Sequence, residues 1–349
     1  MGPCEVVTYA AAIRQALEDA MLADPSVVVF GQAVDDPKPT YQTTAGLADK
    51  FGRDRVVNTP LSEEGMTGVA VGMALAGLRP VLVHIRADFL LLSFNQLVNM
   101  AAKIRDMYGG RLRCPMVVRI VIGKSWGQGP QHSQGIYQML LSVPGLKVVA
   151  PAFPGAAYLA LRAAIRDDDP VIFVEHRLLH DVEGDVDTDE HPDTMIQDQA
   201  VVHGEAGDVT LVGVSWMAVE CLRAMALLAQ KGVRADVVVP TWLAPLDTSL
   251  IEASVARTGR LVVVDCSWTF SGWGAEVVAR LAEDGILPGG GKIRRLGFAP
   301  TACPTSPALE ASYYPTASSI AKTAYGLITG DESWEPSGEI AEATFRGPF

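Results

Sequence analysis

The sequence predicts an α/β protein made of two doubly wound domains. Short β-branched runs alternate with helical patterns along most of the chain, and an acidic, irregular stretch separates two such series. Several of the predicted strands are unbroken apolar runs, as parallel strands covered by helices on both faces require. The chain has 349 residues, too many for one small core. Thr8 caps a first helix through "YAAAIRQALEDAML". Strands follow at "SVVVFG", "RVVNT", "RPVLVHI", "CPMVVRIVIG", "LKVVAP" and "PVIFVEH". The longest helical stretch between them is "DFLLLSFNQLVNMAAKIRDMYGG". These elements form a first domain, residues 1–180. Residues 181–207 contain "DVEGDVDTDEHPDTMIQDQ", which lacks lysine and arginine and reads as a solvated linker. Residues 208–330 form the second domain. It holds strands in "DVTLVGVSW", "RADVVVP" and "RLVVVDCS", and helices in "AVECLRAMALLAQKG", in "PLDTSLIEASVARTG" and after "GWGAEV". Residues 331–349 are a polar tail.

The chain carries 40 acidic and 28 basic residues, a formal charge of -12, which argues against nucleic acid or an anionic membrane surface as partner. Cys4, Cys114, Cys221, Cys266 and Cys303 are scattered and odd in number, with no CxxC pair. That is neither a disulfide framework nor a zinc site. The N-terminus shows no signal-peptide pattern, and no apolar run reaches about 18 residues, so a cytoplasmic location without a membrane span is expected.

In "TPLSEEGMTGVAVGMALAG", Thr59 to Gly77, Pro60 stops a strand and Ser62 is placed to cap the helix that follows. Acidic residues in a first turn gain roughly 0.3–1 kcal/mol from the helix dipole, which alone accounts for Glu63 and Glu64. Gly65, Gly68, Gly72 and Gly77, with Ala70, Ala74 and Ala76, add a second reading. Glycine within a helix costs about 1 kcal/mol against alanine, so close packing at an interface is the expected compensation. A carboxylate desolvated there has a raised pKa. In "GKSWGQGPQHSQG", Gly123 to Gly135, a strand runs into a glycine-rich loop carrying His132. Loops at strand C-termini are where α/β sheets bind ligands, and His132 reads either as such a group or as an ordinary surface histidine. Phe89, Phe94 and the leucines of "HIRADFLLLSFNQLVNMAAK" fit a core stripe as well as a cofactor platform.

Together, "TPLSEEGMTGVAVGMALAGLRPV", "NQLVNMAAK", "QHSQ" and "PGLKVVAPAFPGAAYLALRAAIRDDDPVIFVEH" resemble the β subunit of the decarboxylating component of 2-oxo acid dehydrogenases. Those are the pyruvate- and branched-chain-type, thiamin-diphosphate-dependent enzymes of the transketolase superfamily. The resemblance continues through "PLDTSLIEASVARTGRLVVVDCSWTFSGWGAEV" and spans Thr8 to Tyr325. It implies an N-terminal thiamin-pyrimidine-binding domain and a C-terminal transketolase-C-like domain. It implies that Glu63 hydrogen-bonds the aminopyrimidine and promotes loss of the thiazolium proton, after which the cofactor acts as electron sink for carbon–carbon cleavage. Leu61 and Phe89 join Glu63 in holding the cofactor, Phe89 by stacking. His132 faces the reacting carbon and exchanges protons there, whereas Glu64 has no implied role. Carbonyls of Ala163 to Asp169 match a segment that in some members holds a monovalent cation, near Ala163 and Asp167. The chain has no GDG motif. Magnesium and the diphosphate therefore fall to a GDG-bearing α subunit, in an αβ or α2β2 assembly, with a lipoyl or acyl-carrier domain as acceptor.

The chain also departs from that pattern. It reads "GQAVDD" where "GED" or "GEE" is usual, and "RADF" where an aromatic-rich "TFNF" is usual. Asn95 replaces an aspartate, and "PTWLAPLD" replaces an arginine-containing segment. Gln32, Arg86, Trp126 and Gln128 are thereby candidates for the substrate or acceptor pocket. Two active readings follow: a 2-oxo acid decarboxylating subunit, or a transketolase-like transferase moving a two-carbon unit from a ketose phosphate to an acyl carrier protein. A third, an inactive scaffold subunit, is opposed by the presence of both Glu63 and His132.

Overall fold

The computed structural model describes residues 5–36, 40–123, 127–188, 201–204, 207–286 and 292–336. The strands of the first half are β1 (Glu5–Thr8), β2 (Val27–Gly31), β3 (Val56–Asn58), β4 (Arg79–His84), β5 (Val117–Ile122), β6 (Lys147–Val149), β7 (Val171–His176) and β8 (Glu183–Val186). The second half contributes β9 (Val201–His203), β10 (Val209–Gly213), β11 (Ala235–Val239), β12 (Trp242–Ala244), β13 (Leu261–Trp268) and β14 (Ile293–Phe298). A seven-stranded sheet has the order β12-β6-β7-β5-β4-β2-β3, and a five-stranded sheet the order β14-β13-β10-β11-β9. Strands β2 to β7 pair in parallel, as their apolar composition predicts, and every residue of β5 and β7 is buried. The first helix, Tyr9–Ala23, is capped as predicted: the Thr8 hydroxyl accepts from the Ala11 N–H at 3.2 Å.

Three differences from the sequence reading have physical causes. The stretch assigned to a linker is partly strand: β8 pairs antiparallel with β1, and β9 forms the edge of the second sheet beside β11. Residues 189–200 lie outside the described residues. The segment after β4 is not one helix. It divides into a 3-10 turn (Ala87–Ser93), a π-helical stretch (Asn95–Met100), a second 3-10 turn (Ala101–Lys103) and a short α-helix (Ile104–Met107). Such interruptions rotate side chains out of the regular helical frame and concentrate at functional sites. Third, β12 comes from beyond the predicted boundary yet pairs antiparallel with β6 of the first sheet, clasping the two halves.

The halves are joined by polar contacts as well. The Ser267 hydroxyl donates to the Gly135 carbonyl at 2.5 Å, and the Tyr137 hydroxyl donates to Asp265 Oδ1. Gly135 lies so close to the Cys266 carbonyl that a β-carbon there would overlap it. Inside the first sheet, Arg119 on β5 makes a two-point ion pair with Glu175 on β7 (2.7 and 2.9 Å), and His180 Nε2 lies 3.2 Å from the same carboxylate. Opposition by Arg119, and hydrogen bonding from His180 and Arg119, outweigh burial and hold Glu175 below the usual carboxylate range. Cys114, Cys221, Cys266 and Cys303 are buried free thiols. The tail begins by packing Trp334 on Tyr325, ring centroids 4.7 Å apart.

Candidate active site

Because β2, β3, β4, β5 and β7 run parallel, the residues following each emerge at one edge of the sheet, where doubly wound proteins gather their ligand-binding groups. Gln32 follows β2, Glu63 follows β3, Arg86 and Phe89 follow β4, His132 follows β5 and Arg177 follows β7. The topology thus brings together most of the residues singled out in the sequence. Trp126 lies outside the described residues.

Glu63 opens the helix Glu63–Leu75. Ser62 sits at the N-cap position as predicted, but its hydroxyl makes no capping bond. The Glu63 side chain is half-buried, and Oε1 accepts from Gln32 Nε2 at 3.2 Å. Beneath it, Thr67 Oγ1 donates to the Glu63 carbonyl at 2.8 Å and lies 2.9 Å from Ser93 Oγ and 3.4 Å from His84 Nε2. This network ties the Glu63 helix to the turn that carries Phe89. Burial lowers the His84 pKa to about 4, against the opposing pull of the Glu63 charge, so His84 is neutral near pH 7. Glu64 turns away and is exposed, accepting from Gln96 Nε2 at 3.3 Å. Leu61 (79%) and Phe89 (38%) are unusually open for large apolar side chains.

The half-buried His132 ring meets Phe89 edge to face, centroids 5.5 Å apart and planes at 83°. Its carbonyl accepts from Arg177 Nη2 at 3.1 Å, and Arg177 also donates to Gln128 Oε1. Gln128 therefore braces the histidine loop through this contact. Two residues on, Gln134 donates its backbone N–H (3.3 Å) and its amide (2.8 Å) to Asp88 Oδ1. Arg177 is buried, which lowers its pKa to about 10, with the charge of Arg86 adding to the effect. Arg86 is half-buried and donates to the Tyr41 hydroxyl. Among the described residues it makes no ion pair. The Tyr41 ring in turn packs tilted against His180, centroids 4.7 Å apart, from a left-handed backbone (φ 68°) that a tyrosine rarely adopts.

In the segment Ala163 to Asp169, several oxygens already have partners within the chain. The Ala163 carbonyl accepts from the Asp167 N–H at 3.0 Å, and the Ile165 and Asp167 carbonyls each accept from Arg79 at 3.0 Å. Lys147 Nζ sits 2.8 and 2.6 Å from the two Asp167 carboxylate oxygens. The chain's own guanidinium and ammonium groups supply positive charge at the Ile165 and Asp167 oxygens. Among the described residues no group of three His, Cys, Asp or Glu side chains is arranged to hold a metal ion.

Sequence reasoning missed Arg177, Asp88, His84, Thr67 and Tyr41. One signal was present: Arg177 directly follows the apolar strand "VIFVEH", and a long cation at a parallel strand's carboxyl end rarely serves packing alone.

An open polar edge on a doubly wound sheet, backed by a second α/β domain, defines a ligand-processing α/β protein rather than a structural one. Comparison with known proteins agrees. The description "Transketolase, pyrimidine binding domain" matches residues 5–181, and "Transketolase, C-terminal domain" matches residues 198–320. The acetoin:2,6-dichlorophenolindophenol oxidoreductase subunit beta of Bacillus subtilis is 35% identical, over 93% of this chain and 97% of that protein. Its counterpart in Cupriavidus necator is 37% identical, over 91% and 96%. The mitochondrial pyruvate dehydrogenase E1 component subunit beta of Dictyostelium discoideum is 37% identical, over 79% and 78%. A solved structure described as a split gene transketolase, inactive beta4 tetramer, shares the fold with a TM-score of 0.73 over 93% of this chain and 98% of that one, at 22% identity. The chain belongs to the transketolase family, with β subunits of pyruvate dehydrogenase E1 components and acetoin oxidoreductases among its relatives. No helix among the described residues is long and apolar enough to cross a membrane.

Proposed function

We propose that this chain is the β-type subunit of a heteromeric, thiamin-diphosphate-dependent enzyme that cleaves a carbon–carbon bond next to a carbonyl and passes the acyl unit to a lipoyl or carrier thiol. The observation that carries the reading is the single edge bearing Glu63, Phe89 and His132, built on a chain whose relatives are β subunits of such enzymes. The residues present fit the cofactor's ring. Glu63 Oε1 accepts from Gln32, and no described residue bonds its Oε2. Leu61 and Phe89 offer uncovered apolar surface. When bound, thiamin diphosphate supplies the nucleophilic carbon and the electron sink. Glu63 holds or releases a proton at the ring nitrogen, Gln32 keeps that carboxylate aimed, and His132 moves protons at the reacting oxygen. Arg86, without an ion-pair partner among the described residues, orients an anionic donor.

The apolar side of the site calls for a partner. Leu61, Val69, Leu75, Leu91, Leu92, Met100 and Met107 are exposed along the Glu63 helix and the segment after Phe89, interspersed with the exposed Gly65 and Gly72. Such a surface suits a GDG-bearing α subunit that holds magnesium and the diphosphate and closes over Glu63. Arg86 equally favours the second reading, transfer of a two-carbon unit from a ketose phosphate. Assaying the purified heteromer with pyruvate, acetoin and xylulose 5-phosphate separates them. Turnover of pyruvate or acetoin alone removes the transketolase-like reading, and turnover of none removes both.

A further inference from the structure

The loop from Gly127 to Gly135 is boxed in on three sides. On the second-domain side, Gly127 (φ +70°) and Gly129 (φ +74°) pass so close to Thr305 that a β-carbon at either would collide with its carbonyl or methyl. At the loop's far end, Gln134 is anchored on Asp88, and Gly135 abuts the Cys266 carbonyl. Between these anchors stands His132. Apart from the 3.4 Å turn contact of its N–H with the Gly129 carbonyl, its backbone is held by the guanidinium of Arg177.

Arg177 is placed for that work. It begins the turn after β7, adjacent to the strand carrying the loop, and its side chain reaches under the loop to two acceptors, Gln128 Oε1 and the His132 carbonyl. A planar guanidinium spans two acceptors at once and fixes their relative position, which an ammonium does not. Burying a cation is unfavourable unless hydrogen bonds reward it, and two of the bonds that Arg177 makes go to this loop.

We infer that Arg177 is the positioning residue for His132: it pins the carbonyl of that residue and the preceding Gln128 together, and so sets the imidazole against Phe89 and the open edge. The inference rests on the proposed role of His132. It predicts that Arg177 acts through the histidine and not on the donor itself. Displacing a reacting group by about 1 Å costs on the order of 10²-fold in rate.

The test is a double-mutant cycle in the assembled heteromer, with turnover, KM for the donor and Tm measured together. Arg177→Met is expected to lower kcat by about 10- to 100-fold with KM within about twofold. Arg177→Lys, which keeps the charge but not the two-point grip, is expected to fall between that and wild type. In a His132→Ala background, Arg177→Met should cost less than about twofold, because the residue it positions is gone. Equal loss in both backgrounds overturns the inference, and so does a rise in KM alone, which would make Arg177 a substrate ligand. Should Arg177→Met not fold, Arg177→Lys carries the same cycle. A separate readout is the ring signal of His132 in histidine-labelled protein, which should shift or broaden in Arg177→Lys. An unmoved signal contradicts the clamp even if His132→Ala proves fully active, an outcome that would instead remove the proposed function.

Discussion

At the carboxyl edge of the first sheet, Glu63, Arg86, Phe89 and His132 stand half-buried or exposed, whereas at the carboxyl end of the second sheet Ser215, Asp265, Cys266 and Ser267 are all buried. Both sheets are parallel at their centres, so topology offers each the same ligand-binding edge. The difference is what covers them. The second edge is sealed by the first domain's own loop: Ser267 bonds the Gly135 carbonyl and the Gln138 amide, and Asp265 bonds the Tyr137 hydroxyl. Ser267, Cys266 Sγ and Asp265 Oδ1 find their partners within the chain, while Asp265 Oδ2 and Ser215 Oγ are buried without one. On the first edge, the side chains of Arg86 and Glu63 are bonded among the described residues to neutral groups, a phenol and an amide. One edge is a joint and the other is open, and the His132 loop borders both.

Substitutions that act on one edge only should sharpen that contrast. The largest effect is expected at Glu63. Glu63→Gln should lower turnover of the assembled enzyme by about 10²–10⁴-fold, as loss of acid–base assistance does, with Tm nearly unchanged. Loss of folding instead would make Glu63 structural. Next, Gly135→Ala forces a methyl into the Cys266 carbonyl and should destabilise by about 1–3 kcal/mol, seen as a lower Tm, while also impairing activity through the loop. A change in Tm without one in kcat would uncouple joint from site. Arg86→Gln should raise KM for an anionic donor about tenfold and leave a neutral donor unaffected, which initial-rate kinetics with both donor types would check.

A last effect is electrostatic and belongs to the sealed edge. Burial lifts Asp265 from 3.8 to about 6, partly offset by the hydrogen bond from Tyr137. Between those values the folded state binds more protons than the unfolded chain, so this carboxyl favours folding below about pH 4, and that contribution is lost as pH rises through 6. Subtracting the Tm of Asp265→Asn from that of wild type should give a difference that falls between pH 4 and 6 and is flat above. A flat difference throughout would mean that Asp265 is not buried as described.

The open edge was largely legible in the sequence because strand order and apolar runs fix which loops share it. Glu63 after "RVVNTP" and His132 after "VVRIVIG" needed no side-chain detail. What escaped depends on backbone conformations that composition does not signal. The break of the segment after β4 into 3-10 and π turns keeps Phe89 exposed, and the left-handed Tyr41 delivers its hydroxyl to Arg86. Gln32 was readable as a replaced carboxylate but not as the donor to Glu63, because that contact spans 31 residues of sequence. The partners of the Ala163 to Asp169 segment were hidden for a similar reason: Arg79 and Lys147 arrive at it from distant strands. The sealed edge was illegible altogether, since nothing local to "VVVDCS" says that a loop from the other domain lies on it.

Cofactor titration tests most directly whether the open edge is half of a shared site. Calorimetry with thiamin diphosphate and magnesium should show no measurable binding to this chain alone and saturable binding once the GDG-bearing subunit is added. Tight binding by the isolated chain, or none by the heteromer, would contradict the account.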